Sequence, residues 1–255
     1  MKPRILALGA HNDDCEAGIG GISALLHQQG CEQLYINFAC MWHKADLTDE
    51  QKAEWAQQEI DAARILGAEK RVMGSRDGGF FDPSTALIRE LAAAIVEFDP
   101  QIAFLQWPLD NHAEHRMAAD VAYKALCFAH VEGSHIREIY AYESSLWQTG
   151  RYFSPDIHVD VSSVMDVWEK SERTFAQNTA NGDHLWKCDR LQSEVRGLVS
   201  GFPAALPLKI VKLPDGNDDF LLRQLLGDKF RWAGNGMYLP SASRISTADH
   251  THQKN

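Results

Sequence analysis

Basic residues never gather in this sequence. Across 255 residues, 25 Lys and Arg face 35 Asp and Glu, for a net charge of −10, and no stripe or cluster of Lys/Arg stands out. That excludes the electrostatic footprint of a nucleic-acid or anionic-membrane partner. Paired cysteines are missing too. The five cysteines are scattered, odd in number and without a C-x-x-C pair, which argues against a disulfide framework and for a reducing compartment. Apolar runs are short: "ILALGA" (5–10) gives way at once to charged residues, too soon for a signal sequence, and no run is long enough for a transmembrane helix. A cytoplasmic protein is expected. A phosphate-binding turn is also lacking. The first loop, "GAHNDDCEAGIGG" (9–21), places a histidine and three acids ahead of its paired glycines, whereas a phosphate loop leads with glycine and avoids negative charge. A cation suits this turn better.

The order of elements predicts an α/β fold. "ILALGA" reads as a buried strand and "GIGGISALLHQQG" as the helix after it, ended by Gly30. "LYINFACM" (34–41) is a second strand, and the helix up to Gly67 opens on a Thr48 or Asp49 cap. "KRVMG" is a short third strand, and "QIAFLQWP" (101–108) a fourth that follows a helix stopping before Pro100. Together these give a Rossmann-like, doubly wound, mostly parallel sheet with helices on both faces. The expected division is a core over 1–180, an extension over 181–245 on the same domain, and a disordered tail over 246–255. Within the extension "GFPAALPLKIVKLPDGNDDF" reads as an excursion punctuated by Pro and Gly.

Ligands of open α/β sheets sit beyond the carboxyl ends of the strands, where the strand order reverses. With the order 3-2-1-4, strands 1 and 4 are neighbours there. Strand 1 exits into "AHNDDCE", offering His11, Asp13, Asp14 and Glu16; strand 4 exits into "PLDNHAEH", offering Asp110, His112, Glu114 and His115. Imidazoles and carboxylates without a thiolate pair suit Zn²⁺, or else Fe²⁺ or Mn²⁺. Successive aspartates cannot easily point the same way, so one can bind metal while the other faces its water as a base. The plainer alternative makes Asp13 or Asp14 a helix cap and leaves the loop histidines solvated.

The same residues carry a resemblance. "AHNDDCE" resembles the A-H-P-D-D-x-E signature of the PIG-L/LmbE-like zinc-dependent N-deacetylases, and "DNHAEH" their second motif, D-x-H-P-D-H. "EIDAARILGA", "SRDGGFFD" and "IHVDVSS" resemble further segments of that family. The resemblance implies one zinc held by His11, Asp14 and His115, with Asp13 as general base and His112 stabilising the transition state. It implies attack of zinc-bound water on an N-acetylated small molecule, most readily an N-acetylglucosamine compound, and allows a homo-oligomer. Glu16 and Glu114 are candidates for supporting the ligands, although Glu16 at a helix start also suits the dipole. Asp77 is a candidate for a substrate hydroxyl, or else a turn-former before glycine. Trp107 and Trp147 can stack on a sugar or pack in the core, and Cys15 is expected to pack. Asn12 stands where the family has proline, Ala113 and Glu114 where it has Pro and Asp, and Ala56 where it has an arginine. The stretch before Ala56 is unlike the family, which leaves open a non-sugar amide substrate or a binding protein without turnover.

Overall fold

The structure is a computed structural model that describes residues 2–39, 48–75, 82–144, 153–177, 184–212 and 220–234. Its strands and helices alternate as β1 (Arg4–Gly9), α1 (Asp14–Gln28), β2 (Glu32–Ala39), α2 (Asp49–Ile65), β3 (Ala68–Ser75), α3 (Thr85–Phe98), β4 (Ile102–Gln106), α4 (Ala113–Val131) and β5 (Glu138–Tyr142). Then come β6 (Ile157–Asp160), α5 (Met165–Glu172), α6 (His184–Ser200), β7 (Ala205–Lys212), α7 (Leu221–Leu226) and β8 (Phe230–Trp232). The eight strands form one sheet in the order β3-β2-β1-β4-β5-β7-β6-β8. The first five run parallel, and β7 joins antiparallel to both β5 and β6. The doubly wound, mostly parallel sheet is thus as expected, with β1 beside β4.

Local chemistry sets the ends of α2 and α3. Thr48 caps α2 in a capping box with Gln51, and the Ser84 side chain accepts from Leu87 N–H at the start of α3. Asp99 ends α3 in the left-handed conformation at φ 49°, directly before Pro100. Two cores sandwich the sheet. One packs α1 and the ends of α2 and α5 on its first face, around Trp168, Tyr35, Tyr140 and Tyr142. The other packs α3 and α4 on the opposite face, around Leu34, Phe38, Leu91 and Leu126.

The glycines behind the acidic turn serve packing. A Cβ on Gly18 would lie 2.2 Å from the Tyr142 ring, and one on Gly20 would lie 2.5 Å from Trp168. Their absence lets α1 press against β5 and α5, which fixes the turn at its amino-terminal end.

The segment read as an excursion differs from expectation, because it contains β7, an inner strand of the sheet. Pro207 is tolerated there because the last pair with β5 is Tyr142–Leu208, one residue further on. Its missing N–H costs that pairing no bond. Among the described residues no helix is long and apolar enough to cross a membrane.

Candidate metal centre

Two turns meet above the carboxyl ends of β1 and β4. The Ala10 N–H donates to Gln106 Oε1 at 2.9 Å, tying the strand ends together. From β1 come His11 and, in the first turn of α1, Asp14; from the amino terminus of α4 come His112 and His115. His11 and His115 are each 3% exposed.

Three side chains converge. His11 Nδ1 lies 3.4 Å from Asp14 Oδ2, His115 Nε2 lies 3.3 Å from Asp14 Oδ1, and the two imidazole nitrogens are 3.3 Å apart. A tetrahedral ion with bonds of about 2.0–2.1 Å holds its donors about 3.3–3.4 Å apart. The spacing and the N/O donor set therefore fit a divalent cation such as zinc. His112 is near as well: His11, His112 and His115 offer nitrogens within 4.8 Å of one another. Its Nδ1, however, accepts the Glu114 N–H at 3.3 Å, leaving only Nε2 to face the site.

Each converging imidazole is oriented from behind. His11 Nε2 is 2.7 Å from Glu114 Oε2, and His115 Nδ1 is 3.0 Å from Asp110 Oδ2. These carboxylates fix which nitrogen carries the proton and which faces inward. Asp110 also accepts the His112 N–H at 2.7 Å through its other oxygen, so it sets both histidines. The sequence offers Asp110 only as one possible ligand; that a buried histidine needs a partner for its second ring nitrogen is the signal that singles it out.

The backbone of the first turn is held by polar groups from neighbouring strands. Asn37 on β2 donates to the His11 carbonyl, and Lys70 on β3 to the Asn12 carbonyl. Lys70 also binds both oxygens of Glu16, at 2.7 and 3.0 Å. Glu16 thus supports the turn through Lys70 rather than through a converging side chain. A lysine in a short apolar strand gave no sign of this role.

The electrostatics follow from burial and charge. Burial disfavours charge on His11, yet Asp14 and Glu114 outweigh it and raise its pKa to about 9. His115 likewise rises to about 10 against burial, through Asp14 and Asp110. Burial pushes Asp14 up, but His115 and His11 more than reverse this and hold it well below the ordinary carboxylate range. Asp13 moves the other way: burial and the neighbouring Asp14 charge raise it. Asp13 sits at the N-cap of α1, but its side chain makes no capping hydrogen bond. For His112, burial and then the charges on His115 and His11 lower the pKa. With Nδ1 accepting a hydrogen bond, neutral His112 carries its proton on Nε2, towards the site.

Of the other candidates, Cys15 packs in the core on the α1 side. Trp107 packs edge-to-face on Phe153 at 5.4 Å. Asp77 and Trp147 lie outside the described residues.

Residues 6–126 match the family model described as PIG-L: GlcNAc-PI de-N-acetylase. A curated relative, diacetylchitobiose deacetylase of Thermococcus kodakarensis, is 27% identical over 183 residues, spanning 67% of this chain and 68% of the relative. Among solved structures, the N,N'-diacetylchitobiose deacetylase of Pyrococcus horikoshii superposes with a TM-score of 0.68 at 19% identity, covering 82% of this chain and 83% of that one. The 4-carboxy-2-hydroxymuconate hydratase GalB of Pseudomonas putida KT2440 gives 0.69 at 21% identity, covering 86% of this chain and 100% of that one. These two likenesses establish the Rossmann-like fold. The matched stretch, residues 6–126, contains both charged turns.

Proposed function

We propose that this protein is a metal-dependent hydrolase that removes an acetyl group from an N-acetylated small molecule, most readily an N-acetylglucosamine compound. The observation that carries the proposal is the convergence of His11 Nδ1, the Asp14 carboxylate and His115 Nε2 at 3.3–3.4 Å, beside a half-buried carboxyl, Asp13, whose side chain makes no capping hydrogen bond. The deacetylase relative supports the substrate class.

His11, Asp14 and His115 would hold one Zn²⁺, with Fe²⁺ or Mn²⁺ as the other candidates. Bound there, the ion would polarise an amide carbonyl and make water acidic enough to ionise near neutral pH. Asp13 takes the proton from the attacking water and returns it to the departing amine. Its pKa, raised by burial and by the Asp14 charge, makes it a stronger base than an ordinary carboxylate. His112 donates from Nε2 to the oxygen on which charge develops; loss of such a donor typically costs about 100-fold or more in rate. Glu114 and Asp110 hold the two ligand imidazoles in their tautomers.

The test is primary-amine release from a panel of N-acetylglucosaminides and non-sugar acetamides, with metal analysis of the same protein. About one divalent ion per chain is expected, lost in His115→Ala, together with amine release from the sugar substrates. Asp13→Asn should keep its metal and lose about 100-fold or more in turnover. Release only from non-sugar amides would replace the sugar assignment. A metal-loaded protein that releases amine from none of them would refute the deacetylase reading; the hydratase on the same fold makes an unsaturated hydroxy acid the next substrate to try.

A further inference from the structure

Helix α6 is built inside out. A surface helix normally turns an apolar stripe to the core and its polar face to water. Here the inward face is polar. Asp189, Gln192 and Ser193 are buried, and Arg196 reaches Glu143, just beyond β5, at 2.5 and 2.9 Å. Gln192 donates to the same carboxylate at 3.2 Å. The outward face is apolar: Leu191, Val195, Leu198 and Val199 are 61%, 49%, 72% and 57% exposed. Their spacing of i, i+4, i+7 and i+8 makes one continuous stripe, about 100° wide, along the helix. Single surface leucines need no explanation, but a contiguous apolar patch of a few hundred Å² marks a contact surface.

The stripe matches itself. Leu191 stands four residues before Val195 and Val199 four residues after it. A second α6 crossing antiparallel at Val195 sets Leu191 against the partner's Val199, and Val195 against the partner's Val195. That is the self-complementarity a two-fold interface requires. The charges agree. Lys187 and Arg190 lie in the amino-terminal half of the helix, whereas residues 195–200 contain no acid or lysine and form the negative end of its dipole. The antiparallel crossing brings Arg190 level with the partner's Ser200, a cation against a carbonyl end. A parallel crossing would instead put the two basic ends side by side. Glu194, next to the two-fold point, is neutralised by Arg190 of its own copy at 2.8 Å.

We infer that the outer face of α6 is the contact surface for a second copy of this chain, the two helices crossing antiparallel about a two-fold point at Val195. One helix face per copy falls short of the roughly 800 Å² per partner of a standard stable interface. The dimer is therefore weak, with a dissociation constant on the order of micromolar.

The test is sedimentation of the full chain, with divalent metal present, from about 1 to 300 μM, a range that brackets such a constant. The mass should rise from one chain towards two. Val195→Glu and Leu198→Glu should each hold it at one chain throughout, with melting in dilute solution that of the parent, since both side chains face water there. Under a mild oxidant Val195→Cys should link two chains, because the two positions meet on the axis. Leu191→Cys should not, since its copies lie about 12 Å apart along the helices at 1.5 Å per residue, beyond the reach of a disulfide. A parent that stays monomeric overturns the inference, and if that monomer floats with anionic vesicles the occupant is a membrane surface. Dimers undiminished in both Glu variants overturn it by placing the contact elsewhere, and equal linking at 191 and 195 overturns the two-fold crossing.

Discussion

Replacing Lys70 with methionine is the sharpest probe of how the first charged turn is held. The side chains of Lys70 and Glu16 are 1% and 0% exposed, so Lys70→Met leaves a buried carboxylate without its cation and the Asn12 carbonyl without its donor. Burial already raises the Glu16 pKa, and Lys70 is the main influence opposing that rise. Without the lysine, the carboxyl escapes its charge by taking up a proton. At pH 7, protonating a carboxyl whose ordinary pKa is 4.5 costs about 3.4 kcal/mol, at 1.36 kcal/mol per unit. Adding about 1 kcal/mol for the hydrogen bond lost at Asn12 gives about 4 kcal/mol, within the 3–5 kcal/mol typical of broken buried pairs. Urea unfolding at pH 7 measures it. The cost relative to the parent should shrink to about 2 kcal/mol at pH 5, where the proton is cheap. Glu16→Gln in the same background should recover most of the loss. A cost below about 1 kcal/mol at pH 7, or one equal at pH 5 and pH 7, would refute the claim that charge, not packing, dominates here.

Three further outcomes are expected. Asp110→Ala removes the partner of His115 Nδ1 and should weaken divalent-metal affinity by about 10- to 100-fold in a chelator competition; unchanged affinity would show that His115 needs no orientation. Gly18→Ala drives a methyl to 2.2 Å from the Tyr142 ring and should cost about 1–3 kcal/mol of stability, so a variant as stable as the parent would disprove the close approach. His158 is 5% exposed, and burial with the charges of Arg196 and Arg231 lowers its pKa from 6.5 to about 4. The unfolded chain then binds this proton first as pH falls, so stability is lost between pH 6.5 and about 4, by roughly 3 kcal/mol in total. His158→Leu should flatten that part of the stability curve, and a parallel slope in the variant would assign the loss to other groups.

Much of this was legible in the sequence because it rests on local patterns. Buried strands alternating with amphipathic helices fix the parallel half of the sheet, and strand order then brings "AHNDDCE" and "DNHAEH" together without any contact being known. What stayed hidden depends on partners distant in sequence. β7 contains a proline and follows a Pro/Gly-rich stretch, and only its position beyond the end of β5 makes that acceptable. Lys70 looks like a surface residue until Glu16, 54 positions earlier, is seen to bury it. Asp110 is one acid among several until His115 Nδ1 points at it.

The placement of β6 has a consequence for how the chain assembles. Both of its neighbours in the sheet, β7 and β8, come later in the sequence. During synthesis from the amino terminus, β3-β2-β1-β4-β5 can form while β6 still has no strand to pair with. The free side of β5 must meanwhile wait for β7 to emerge, more than 60 residues on. An unpaired edge of that kind invites pairing with other chains, and closing so long a loop is slow. The growing polypeptide is therefore most exposed to misassembly between the completion of β5 and the arrival of β7.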